Sequence, residues 1–192
     1  MNELRTFYDK YTKARKKSDK ANPACNTHPP LLDLLPPQAA CDEAVNSYFR
    51  SFEKSLRILH CPSFKDEYRR FWGSTEDQRG EFQSFVAQLV VVLAIVHDLE
   101  AASFSGVERD NRAAMLCSHV QAWSDSLAGR KQLTMATLRT RALLILAQQV
   151  RAAQADEVWK ATGSLMRSAM MAGLHRDPSE FPDIPIFEGE LK

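Results

Sequence analysis

The stretch FVAQLVVVLAIV, Phe85–Val96, decides the fold. Only Gln88 in it is polar. A run this apolar is either a membrane span or the central helix of a bundle. Spanning a bilayer takes roughly 20 consecutive apolar residues, and this run stops short of that, so it reads as a buried helix. Its start is marked upstream, where Thr75 followed by Gln78 has the spacing of a capping box. The helix opened there is expected to continue to Ala102. Phe82, Phe85, Val86, Leu89, Val90, Leu93 and Val96 make its middle apolar nearly all round. Such a helix needs neighbours on every side.

The flanking sequence supplies them. Asp42 is placed to cap a helix running to about Leu59, with Val45, Tyr48, Phe49, Phe52 and Leu56 on one face. HCPSF breaks it, and Ser63 reads as the N-cap of a short helix through FKDEYRRFW that Gly73 ends. Beyond the apolar run, residues from Val107 to Ala128 read as a helix with Leu116, Val120, Trp123 and Leu127 in register. Gly129 suits a left-handed stop. Thr134 caps the next helix, which turns Leu138, Ala142, Ile145 and Leu146 inward. Asp156 and Glu157 open the last one, where acidic side chains favour the positive end of the helix dipole. Its expected inner stripe is Val158, Thr162, Leu165, Met166, Ala169, Met170 and Gly173. No segment shows strand alternation. The fold class is therefore all-α, a multi-helix bundle or array of about six helices without a sheet.

Composition agrees. The chain has 192 residues, 44% hydrophobic and 26% charged, enough for one domain with a sizeable core. Glycine is scarce, at 7. The formal net charge of +1 gives no field that draws the whole chain to nucleic acid or to a membrane. Residues 1–40 form a basic N-terminal segment and a proline-rich linker. The linker's NTHPPLLDLLPPQAA cannot be a regular helix, and Leu31, Leu32, Leu34 and Leu35 are available to pin it to a surface. Residues 41–192 form the helical domain. The four cysteines, Cys25, Cys41, Cys61 and Cys117, show no C-x-x-C spacing. They read as free thiols in a reducing compartment.

Local chemistry is sparse. His60 with Cys61, and Cys25 with His28, lack the further ligands that zinc requires. His97 and Asp98, with Glu100 nearby, end an apolar helix and are explained as its polar terminus. No nucleophile elbow, phosphate loop, dinucleotide fingerprint or H-E-x-x-H is present, so no catalytic, cofactor-binding or metal residue is assigned. Lys13–Lys17, KARKK, is a solvated helix face, part of an import signal, or a basic linker of the kind that follows a DNA-binding module. GLHRDP, Gly173–Pro178, reads as a helix terminator. A glycine is followed by cations that suit the negative helix end, and by a residue that proline pushes out of helical angles. Arg167, beside the apolar stripe, is expected to bury its stem and reach a carboxylate.

Two separated motifs carry a resemblance. LTMATLRTRALLILA followed by VWKATGSLMRSAMMAGLHRDPSEFPDIPIFEGELK is similar to the fungal-specific transcription factor domain, the middle homology region of fungal binuclear zinc-cluster factors. Gly163, Arg167, Ala169, Gly173, Leu174, His175, Arg176 and Asp177 fall on that pattern, as do Glu188 and Glu190. Upstream, LLPPQAACDEAVNSYFRSFEKSLRILHCPSFKDEYRRFW resembles the opening of the same domain. Tyr48, Phe49, Ile58, Leu59, His60, Pro62 and Phe64 occupy its places. Together the motifs cover residues 34–192.

The resemblance implies a helical regulatory domain, a nuclear location and control of RNA polymerase II transcription, without enzyme activity. The domain would work by intramolecular control, by partner binding or by sensing a small metabolite. The alternative is a non-DNA-binding interaction protein that associates with a full-length factor. Expected partners are the transcription machinery or a dimer partner, with a small-molecule inducer and no membrane. DNA would be reached only through a zinc-cluster module. That module needs six closely spaced cysteines, which these residues do not contain, so no cofactor is expected here and zinc only in such a cluster. The family continues past FEGELK with further helices, so an incompletely covered apolar surface is expected, with self-association or dye binding as its sign.

Overall fold

A computed structural model describes residues 30–103 and 111–177, and the side chains of 100–103 are not described within it. Lys13–Lys17, Cys25, His28, the helix start read at Val107, and the segment with Glu188 and Glu190 lie outside the described residues.

Six helical segments follow one another, and no strand occurs among the described residues. The first, α1, runs Gln38–Tyr48, continues through a π-helical turn Phe49–Glu53 and ends with Lys54–Leu56. Next come α2 (Cys61–Gly73) and α3, which begins as Glu76–Arg79, tightens to a 3-10 turn at Gly80–Phe82 and continues as Gln83–Ser103. The others are α4 (Arg112–Ser126), α5 (Met135–Val150) and α6 (Ala155–Met171).

The apolar run is the hub. From Phe85 to Val96 every residue except Leu93 is buried, and α3 packs against α1, α4 and α5. By length and composition, Glu76–Leu99 is long and apolar enough to cross a membrane. That corrects the reading that no run reaches spanning length. What decides its place is that its apolar side chains are covered by the neighbouring helices, each buried aliphatic contributing roughly 1.5–3 kcal/mol. Gln88, the one polar residue of the run, is satisfied by donating from Nε2 to the carbonyl of Ala136 on α5 at 3.2 Å. A buried amide left without that acceptor would be costly.

An aromatic layer joins α1, α2 and α3. The Phe64 ring lies 5.5 Å from Phe49 and 5.2 Å from Phe85, and Phe71 lies 5.6 Å from Phe85. Tilted and edge-on pairs at these distances add to plain burial.

Several boundaries differ from expectation. α1 starts at Gln38, with Pro37 at its N-cap, so Asp42 lies inside the helix and accepts from the Tyr68 hydroxyl. Proline suits the start of a helix, where no donor is missed. The preceding Leu31–Leu34 is a 3-10 turn whose leucines pack on the core. The N-cap of α2 is His60, whose side chain accepts from the Ser63 amide, so Ser63 is inside the helix. α4 ends at Ser126, ahead of Gly129, which has positive φ and opens a 3-10 turn Gly129–Leu133. The capping box at Thr75 and the cap at Thr134 lie where the sequence places them.

α6 departs furthest. None of its residues is buried. Val158, Ala161, Leu165, Ser168 and Ala169 are half-buried, while Trp159, Met166 and Met170 face outward. Thr162, Met166 and Met170 therefore do not belong to its inner stripe. Polar contacts help to hold the helix: Arg141 on α5 donates to Ser124 Oγ on α4 at 3.2 Å and to Ser168 Oγ on α6 at 3.3 Å.

Candidate functional site

The turn between α1 and α2 concentrates unusual backbone and buried charge. The π-helical turn Phe49–Glu53 inserts a residue into α1, and such turns recur at functional sites. It brings Glu53 back beneath Tyr48, five residues earlier. Glu53 is only 8% exposed. One of its oxygens accepts from the Tyr48 hydroxyl at 3.0 Å and the other from the Leu59 amide at 2.9 Å. Burial raises the Glu53 carboxyl above its ordinary pKa, while these two donors and Arg139 pull the other way. Tyr48 is raised as well, first by burial and then by the Glu53 charge.

The chain leaves α1 through Arg57, which has φ 47°, a left-handed conformation that L residues enter at a cost of roughly 1–2 kcal/mol. Ile58 and Leu59 then lead to the cap at His60. Its Nδ1 lies 2.7 Å from Ser63 Oγ.

Between this turn and the start of α5 lies a cavity of about 460 Å³. Arg57, His60, Met135 and Arg139 line it, with Glu53 and Leu59. Arg139 is half-buried, and burial lowers its pKa against the opposing charges of Glu67 and Glu53. Neither the Arg57 nor the Arg139 guanidinium takes part in a hydrogen bond or ion pair among the described residues.

The upstream motif residues thus converge. Tyr48 and Phe64 are buried, Phe49 packs on the core, and His60 and Pro62 line the cavity. The downstream motif lies elsewhere, at the outer end of α6. Gly173 has φ 81°, with its amide bonded to the Met170 carbonyl and that of Leu174 to the Ala169 carbonyl. These two bonds are a Schellman closure. Leu174 is half-buried, and His175, Arg176 and Asp177 are exposed. Gly163 leaves room for Arg167, whose Nη1 would sit 3.4 Å from a Cβ at that position. Arg167 is exposed and in no ion pair among the described residues, so the expectation of a buried stem reaching a carboxylate is corrected. On a helix that buries none of its residues, it has no interior to enter.

Sequence reasoning missed Glu53, Arg57 and Arg139. Arg139 sits within one motif stretch and Glu53 within the other, and nothing in either pairs them. Among the described residues no group of three or more His, Cys, Asp or Glu side chains is placed to hold a metal ion.

No family model and no solved structure matches the chain. Curated proteins do. The chain is 35% identical over 161 residues to transcription factor lepE of Aspergillus flavus, covering 82% of this chain and 19% of that protein. It is 32% identical over 164 residues to transcription factor opdR of Penicillium oxalicum, covering 85% of this chain and 20% of that one. The Zn(2)-C6 fungal-type transcription factor mpsB of Macrophomina phaseolina is 25% identical over 170 residues, covering 86% and 23%. The chain spans about a fifth of the length of these relatives. Over most of its length, the chain is a homologue of one segment of the fungal Zn(2)-C6 transcription factors.

Proposed function

We propose that the chain is a regulatory segment of a transcription factor of this kind, working in the nucleus on RNA polymerase II transcription and sensing a small metabolite. Homology to transcription factors across most of the chain supports the regulatory role. The cavity supports metabolite sensing, because its size falls within the range of small-molecule sites and three helical segments that meet there would feel an occupant.

A second reading is a helical protein that associates with a full-length factor. The outer face of α6 favours it. Trp159 is 78% exposed, and Met166 and Met170 lie in line with it. Such a factor, of which the matched segment is 19%, carries ample further chain to cover that face.

In both readings the chain does not read DNA itself. Specific readout needs an element that enters a groove and side chains that reach base edges. A titration of the full chain against promoter-derived and random duplexes, at roughly physiological salt, checks this. Both duplexes should bind equally and weakly, with dissociation constants on the order of 1 µM or weaker. A preference for one duplex that survives that salt refutes the reading.

A further inference from the structure

We infer that the cavity between the α1–α2 turn and the start of α5 binds a small amphipathic carboxylate, held by the guanidinium groups of Arg139 and Arg57. The lining divides in the way such a ligand requires. Ile58, Leu59, Pro62 and Met135 offer apolar surface, and the two arginines offer planar donors that match a carboxylate. A desolvated guanidinium without an ion pair is the group that gains most from an incoming anion. Arg139 is in that position: half-buried, lining the cavity, and balanced only at a distance by Glu53 and Glu67.

The one carboxylate in the lining does not oppose this. Both Glu53 oxygens are already occupied, by the Tyr48 hydroxyl and the Leu59 amide. Burial also favours its neutral form.

Arg57 supplies an independent observation. Its backbone ends α1 in the left-handed region, where glycine is at ease and arginine is not. Stability alone would place glycine there. An arginine held at this strained position keeps a second cation on the cavity. Left-handed Ala152, at the end of α5, shows that the fold tolerates such strain elsewhere, so the convergence of both arginines on one cavity carries the inference.

The assignment rests on the regulatory reading for its purpose only. Binding in solution and regulation in a cell fail separately. If the chain binds the probe but transmits no regulation, the regulatory reading falls and the site stands.

The test is calorimetric titration of the full chain with octanoate, with octanol and inorganic phosphate as controls. The full chain should bind octanoate, a ligand of about ten heavy atoms, with a dissociation constant of about 0.1–10 mM. Octanol and phosphate should each bind roughly tenfold more weakly or not at all, since each lacks half of the recognised chemistry. Arg139→Met should weaken octanoate about tenfold, and Arg139→Lys less, because lysine keeps the charge but not the fork. Arg57→Gly should weaken octanoate severalfold while the melting temperature stays level or rises. That pairing separates ligand contact from folding, and it decides the matter if Arg139→Met does not fold. The inference is overturned if the folded parent does not take up octanoate at 10 mM, a concentration set by that affinity range of roughly 0.1–10 mM. It is also overturned if octanol or phosphate binds as tightly, or if Arg57→Gly and the folded Arg139 variants bind like the parent.

Discussion

Phe85→Ala is expected to lower the unfolding free energy by about 3–5 kcal/mol. The side chain is 1% exposed, and its ring touches Phe64, Tyr68 and Phe71 of α2. Truncation removes the transfer energy of the ring and leaves a hole that three rings cannot fill without leaving their own contacts. Whole domains are stable by only about 5–15 kcal/mol, so the variant should be partly unfolded at moderate temperature. Urea unfolding measures the loss. Met166→Ala, on the exposed face of α6, should change stability by no more than about 0.5 kcal/mol. If both variants melt like the parent, α2 does not lock onto α3 through this aromatic layer.

Glu53→Ala should cost about 3 kcal/mol, nearly as much for a different reason. It strands the Tyr48 hydroxyl, on a fully buried side chain, and the Leu59 amide, each at a penalty of roughly 1–3 kcal/mol. Glu53→Gln keeps an acceptor and should cost much less. The two variants also separate geometry from charge. Burial raises the Glu53 carboxyl in the folded state, so between the unfolded and folded pKa values the native protein holds more protons than the unfolded chain. Stability contributed by this group is therefore present below the unfolded value and falls as pH rises through the folded one. Glu67 is raised by burial too and acts in the same direction. Stability of the parent should decline as pH climbs above the ordinary carboxylate range, and Glu53→Gln should flatten part of that decline. An unchanged profile in Glu53→Gln would mean that Glu53 ionises freely in the folded protein.

The parts legible from sequence are those where one residue type had one physical use. Phe85–Val96 is too apolar for the water-exposed surface of a bundle, and Thr75 and Thr134 are caps because a hydroxyl can satisfy a helix amide. Legibility fails where a residue is used against type. His60 caps α2 with its ring, whereas the hydroxyl pattern points to Ser63, which lies inside the helix. Arg57 stands where glycine normally ends a helix, so α1 read on to Leu59. On α6 two apolar stripes run side by side, Val158–Leu165–Ala169 inward and Trp159–Met166–Met170 outward. Period alone cannot say which of them meets the core. The cavity was out of reach for another reason. Arg57 and Arg139 come from helical segments far apart in sequence, and only the packing of α1 and α5 around α3 brings them to one place.

The central claim, that this segment regulates transcription without reading DNA, is tested most directly in a reporter strain. The full chain is fused to an unrelated DNA-binding module, and transcription is measured from that module's operator. The account predicts a severalfold change relative to the module alone. It also predicts that Phe85→Ala, which partly unfolds the chain, weakens the change, because the effect travels through the packed helical body. A fusion that is folded and abundant, yet leaves transcription where the module alone leaves it, would contradict the claim.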